Sequence, residues 1–166
     1  MKRIHLLMIG VIVLSGCGRL VKVQENERTI RQVFSVQLSK DEIYDRSLEW
    51  SAKRLSRVND DIVVKDREKG MIIARGTGVY SEYFDFLVDR EFSYTLMIEA
   101  REGRYRITFD NFVVYYDERQ LKSSTAIFKF EINKIRKQLD RLSDDLREYL
   151  AGKTADRKDE GVEEEW

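Results

Sequence analysis

One histidine, His5, and one cysteine, Cys17, are all that the 166 residues contain of either type, and both lie within the first 17 positions. Beyond them there is no imidazole for a Ser-His-Asp or Cys-His triad, no set of the ligands zinc prefers, and no disulfide to close. Positive charge is not in excess either, since 30 Lys and Arg face 30 Asp and Glu. A balanced chain gains little by releasing counterions from a phosphate backbone, so nucleic acid is not an expected partner. Also missing are a GxxxxGK[ST] loop, a GxGxxG turn between strand and helix, and an HExxH helix. The short Gly76-Thr77-Gly78 sits inside a strand-like run and reads as a flat or bulged strand position. What remains is carboxylate chemistry or none. Asp85 with Asp89, or Glu99 with Asp110, could form an acid and base pair, but in a chain that is 36% charged such pairs arise by chance. The expectation is no enzymatic activity, no metal and no cofactor.

The N-terminal segment carries the strongest local pattern. Lys2 and Arg3 precede an apolar stretch from Leu6 to Leu14 that is too short to span a bilayer, and Ser15 and Gly16 are small residues ahead of Cys17. Leu14-Ser15-Gly16-Cys17 resembles the lipobox of bacterial lipoprotein precursors. The resemblance implies that residues 1–16 are a signal peptide and that Cys17 receives lipid, so that the membrane is the first partner. The alternatives are an ordinary signal peptide or an apolar helix holding a buried cysteine. On the lipoprotein reading the protein belongs to the bacterial cell envelope, on the outer membrane in preference to the inner, because Gly18 is not the aspartate that marks inner-membrane retention in some bacteria. The 150 residues from Cys17 onward, with 28 basic and 30 acidic side chains, suit one domain with tails.

From Val21 to Gln32 the chain is polar and without sustained period, so residues 17–32 read as a lipidated tether that could reach roughly 55 Å if extended. The folded domain is expected over 33–152. Val33 to Leu38 is a short strand-like run, and Ser39 with Glu42 forms a capping box that starts a helix at Lys40, running to about Val58. Its core face is expected to hold Tyr44, Leu48, Ser51, Ala52 and Leu55. Strands follow at Ile62–Lys65, Met71–Tyr80, Phe92–Ala100 and Arg104–Tyr116, the last two joined by the tight turn Arg101-Glu102-Gly103. Phe92, Tyr94, Leu96 and Ile98 would share one face with Tyr105, Ile107 and Phe109, leaving the opposite face polar and open. After a polar stretch from Asp117 to Ser124, Phe128, Ile132, Ile135, Leu139, Leu142, Leu146 and Tyr149 recur at spacings of four and three on a long helix ending near Gly152. Residues 153–166, with Glu163-Glu164-Glu165, read as a charged disordered tail. The order is β-α-β-β-β-β-α, an α+β fold.

Ser39-Lys40-Asp41-Glu42-Ile43-Tyr44, Trp50, Asp66 to Gly70 followed by Met71-Ile72-Ile73-Ala74-Arg75-Gly76, then Tyr94-Thr95-Leu96 and Gly103-Arg104-Tyr105-Arg106 together resemble the DUF4468 domain family of bacterial envelope proteins. The similarity covers about residues 33–117. It implies a TBP-like fold, a curved antiparallel sheet with two helices on its convex side, which the alternation gives independently. It implies no activity, cofactor or catalytic residue. DNA binding is not carried over from the fold's namesake, because this chain lacks the positive charge and is expected outside the cytoplasm.

Two surfaces stand out. The open sheet face carries Arg75, Thr77, Thr95, Glu99, Arg104, Arg106 and Asp110. It is either a solvated face with cross-strand ion pairs or a binding surface on which Arg104 and Arg106 contact an anion. Ile43 and Trp50 lie seven apart in the first helix, nearly opposite its expected core face, as anchors for a partner or as contacts for a covering loop such as Tyr80 to Leu87. The stripe on the last helix packs on the chain's own sheet or forms a coiled coil with a second chain, which leaves the oligomeric state open. The reading that follows is a lipid-anchored envelope domain that binds an envelope protein or a small ligand without chemistry of its own. The alternatives are an accessory subunit of an outer-membrane assembly or transport complex, and a carboxylate-based hydrolase.

Overall fold

Ser39 starts the first long helix. Its hydroxyl accepts the Glu42 N–H at 3.3 Å, while the Glu42 carboxylate accepts the Ser39 N–H at 2.9 Å. The reciprocal pair satisfies two donors that a helix N-terminus otherwise leaves unmet. The computed structural model describes residues 21–55, 61–83, 87–117 and 119–152. Within them a 3₁₀ turn at Glu25–Arg28 is followed by β1 (Ile30–Ser35), α1 (Lys40–Arg54), β2 (Asp61–Asp66), β3 (Met71–Tyr83), β4 (Leu87–Arg101), β5 (Arg104–Tyr115), β6 (Ser123–Thr125) and α2 (Lys129–Leu150). The strands form one antiparallel sheet in the order β1-β5-β4-β3-β2, with β6 beside the far end of β5. Both helices lie on one face, so the architecture is α+β as the alternation predicts.

The β3–β4 ladder keeps register from Met71 opposite Glu99 to Tyr83 opposite Leu87. The expected β4–β5 hairpin is present, with Gly103 at φ +70 in the turn, a conformation L side chains resist. One departure matters for function. Between Ser93 and Thr95 the register slips, so that three steps of β5, from Asp110 to Val113, span two of β4. Asn111 sits in this bulge at φ 54. The bulge flips the parity of β5: Tyr105, Ile107 and Phe109 point into the core before it, and Phe112 and Val114 after it. Rings from Tyr80, Phe92, Tyr94 and Phe109 run across the helix-covered face at successive centroid distances of 6.1, 5.9 and 5.7 Å. Ile132, Ile135, Leu139 and Leu146 of α2 close over that core, so the stripe with spacings of four and three is spent on the chain's own sheet.

Three expectations need correction. The tether does not reach residue 32. Val23 N–H donates to the Ile127 carbonyl at 2.9 Å, Lys129 N–H donates to the Val21 carbonyl at 2.8 Å, and Ile30 is 1% exposed in the core. Backbone pairing and one buried isoleucine tie this polar run to the domain, and neither produces a hydrophobic period. The polar stretch after β5 also contributes a strand, β6, which pairs with the far end of β5 and carries no buried side chain. Finally, the buried side of α1 holds Ile43, Tyr44, Ser47, Trp50 and Ser51, while Ala52 is exposed. The helix is rolled because it packs against α2 as well as the sheet, so its buried arc is the sum of two contacts. The signal segment, Cys17, the aromatic residues Phe84 and Phe86, Asp85 and the charged tail lie outside the described residues.

Candidate functional site

On the face away from the helices, cross-strand register builds rungs of side chains. One rung reads Met71, Glu99, Arg106, Val33; another reads Arg75, Thr95, Asp110. The strand residues expected on the open face therefore share one surface, and the structure sorts them. Arg106 Nε and Nη2 donate to the two Glu99 carboxylate oxygens at 2.5 and 2.6 Å. These hydrogen bonds hold the Glu99 carboxyl below the usual carboxylate range and push the Arg106 guanidinium up. The fork is already filled, so Arg106 is a cross-strand ion-pair partner and not a free anion contact, and solvent screening of this partly exposed pair keeps its contribution to stability small. Arg104 pairs in register with Arg101, and both line a small cavity of about 190 Å³ with Val33 and the ion pair.

Arg75 belongs to a different, larger cavity of about 400 Å³. Its floor is Gly76 and Thr77 of β3 with Ser93, Tyr94 and Thr95 of β4, and its wall is Asn111 and Tyr115 of β5 with Gln120 from the β5–β6 connection. The lining is wired together. Asn111 Nδ2 donates to Thr95 Oγ1 at 3.3 Å, Ser93 Oγ and the Tyr115 hydroxyl lie 3.3 Å apart, and Gln120 Nε2 donates to the Glu91 carboxylate at 2.9 Å. Arg75 makes no ion pair or hydrogen bond with the described residues. Among those residues no cluster of His, Cys, Asp and Glu is arranged to hold a metal.

Asp110 sits beside this cavity across from Thr95. Its Oδ1 is buried without a hydrogen-bond partner, and burial raises its carboxyl above the usual range. The folded chain therefore holds this proton more tightly than the unfolded chain does. The cost of the charge is absent at a pH below the unfolded carboxylate range and fully present above the folded one. Asp110→Asn is expected to stabilise the fold by about 1 kcal/mol near pH 7, roughly 3 °C in Tm, with the gain fading as pH falls through the carboxylate range; thermal melts across pH check this.

The proposed anchors Ile43 and Trp50 are both 0% exposed and cannot meet a partner. Trp50 Nε1 donates to Asp145 Oδ2 at 2.7 Å, so α2 covers this side of α1, while the described part of the expected covering segment, Tyr80–Tyr83 and Leu87, lies in β3 and β4. Residues that sequence reasoning did not single out are Asn111, Tyr115 and Gln120. A signal existed for the first two: Phe109 and Phe112 are three apart, a step that strict alternation cannot accommodate.

The sequence profile of the family described as a domain of unknown function (DUF4468) with TBP-like fold matches residues 31–115. The chain belongs to the DUF4468 family. Its match runs from the second residue of β1 to the end of β5, and so contains both cavities' floors. This DUF4468 domain is similar to the crystal structure of a DUF4468 family protein from Bacteroides ovatus ATCC 8483, at a TM-score of 0.59 and 18% identity, covering 80% of this chain and 89% of that one. It is also similar to a TBP-like protein from Parabacteroides distasonis ATCC 8503, at 0.62 and 16%, covering 74% and 91%. At these identities the likeness speaks for the fold. No curated protein matches the chain.

Proposed function

We propose that this DUF4468 protein is a lipid-anchored binding domain of the bacterial cell envelope, attached through Cys17 and binding an envelope component on the open face of its sheet, with no chemistry of its own. The observation that carries the reading is the division of labour across the sheet. One face is consumed by α1 and α2, while the other keeps a polar cavity of about 400 Å³ whose side chains are already oriented by one another. Strands hold such groups more rigidly than loops do, which lowers the ordering cost of binding. No helix among the described residues is long and apolar enough to cross a membrane. In this reading the acyl chains on Cys17 supply membrane affinity, at roughly 0.8 kcal/mol per buried CH₂.

The test has two arms in intact cells. Radiolabelled palmitate is expected in the native chain and not in Cys17→Ser. A photocrosslinking side chain placed at Val79 or Val113, on the open face, is expected to capture an envelope component, while one at Arg136, on the exposed side of α2, captures none. Capture from Arg136 alone, or from no position, would remove the open face as the binding surface and favour an accessory subunit that docks elsewhere.

A further inference from the structure

We propose that the Arg75 cavity is a saccharide site selective for a sugar bearing a carboxylate, a uronic acid unit. This rests on the reading of the open face as the binding surface and names its ligand class. The side chains that form the cavity are hydroxyls from Thr77, Ser93, Thr95 and Tyr115, carboxamides from Asn111 and Gln120, and one guanidinium. None is aliphatic, so an acyl chain or apolar peptide would bury nothing in exchange for desolvating these groups. Hydroxyls and carboxamides each both donate and accept, which is what a ring of alternating hydroxyl groups requires of its partner. Tyr115 adds a flat apolar body with a polar tip.

Two further observations converge on the same place. Asn111 and Gln120, at φ 54 and 56, are the two non-glycine residues with positive φ among the described residues, and both line this cavity. Such conformations cost energy and persist where the surrounding structure holds a functional arrangement. Each also spends one amide N–H on an internal contact, to Thr95 and to Glu91, which fixes its direction and leaves its carbonyl oxygen to accept from a ligand. The charge pattern then chooses among sugars. Arg75 is the one cation of the lining and has no carboxylate partner among the described residues, so its fork is open to a bidentate carboxylate. Asp110 and Glu91 adjoin the cavity, and their negative charge opposes a doubly charged phosphate. The volume lies near the lower end of the ~300–1,000 Å³ typical of small-ligand sites, so a short saccharide fits.

The experiment is saturation-transfer NMR and calorimetry on the purified full chain in detergent, with digalacturonate and its neutral counterpart galactobiose as probes. Digalacturonate is expected to bind about tenfold more tightly than galactobiose, the worth of a charge-assisted fork. Arg75→Gln, on an exposed side chain, should erase that preference, and the matched Arg136→Gln on the helix side should change binding of neither sugar. Absence of binding by both sugars, equal binding of the two, or a preference that survives Arg75→Gln overturns the proposal. If the sugars fail while open-face crosslinks in cells persist, the ligand class is wrong and the binding face stands; if both fail, the functional reading falls with it.

Discussion

Trp50→Ala is expected to cost about 3–5 kcal/mol of folding stability, a large fraction of the ~5–15 kcal/mol a domain usually has. Trp50 is fully buried between α1 and the rest of the core, and its ring is the largest side chain there. Truncation removes that volume where both helices are held by the sheet and cannot collapse freely into the gap. It also removes a donor from Asp145, whose carboxylate ties the helices together by accepting from Trp50 Nε1 at 2.7 Å and from Arg54 Nε and Nη2 at 2.8 and 2.9 Å. Trp50→Phe separates the two contributions, because it keeps most of the ring and loses the N–H; about 1–2 kcal/mol is expected. Guanidinium unfolding measures both. A cost below ~1 kcal/mol for the alanine variant would mean that α1 and α2 do not pack as described. The same burial makes Trp50→Ala a poor probe of partner binding, since a lost interaction would report a lost fold.

How far the fold can be read from the chain follows from which contacts leave a period. Ser39 and Glu42 announce α1 because a cap is local chemistry, and β4 with β5 announce themselves because one buried face imposes a period of two. The roll of α1 is invisible for the opposite reason. A helix packed on a single sheet shows one stripe, but α1 packs on two neighbours, and Ile43 and Trp50 on the second contact look like outliers from the first. Val21 and Val23 are missed because their backbone hydrogen bonds to Lys129 and Ile127 are indifferent to side-chain type, and Ile30 is missed because a single buried residue makes no period.

The candidate site divides along the same line. Glu99 and Arg106 are legible as a cross-strand pair, since opposite charges at facing positions of a hairpin need only the register. The cavity around Arg75 needs three strands, a bulge and a connection bent back over the sheet. Its wall residues Asn111 and Gln120 are fixed by backbone geometry, and the only trace in the sequence is the three-residue step from Phe109 to Phe112.

Gly76→Ala is the second large effect, and it ties the floor of that cavity to the core beneath it. Gly76 pairs in register with Tyr94, and Gly78 with Phe92. A Cβ built at Gly76 would lie 2.5 Å from the Tyr94 hydroxyl oxygen, and one at Gly78 would lie 2.5 Å from Phe92 Cζ. The glycines are therefore not a bulge or a phosphate loop. Each leaves open the space over β3 into which the aromatic ring of the facing residue lies down, and β3 passes through both positions without a register shift. A methyl group at Gly76 must displace a ring already flanked by Phe92 and Phe109 at 5.9 and 5.7 Å. Overpacking of this kind costs about 2–3 kcal/mol. The pairing also predicts non-additivity. Tyr94→Leu destabilises alone, but in the double variant the shorter side chain vacates the space the new methyl group needs, so Gly76→Ala/Tyr94→Leu should be more stable than the sum of the single changes by about 1–2 kcal/mol. Strict additivity in denaturant unfolding would mean that the ring does not rest on Gly76, and the Gly-Thr-Gly sequence would then need another cause.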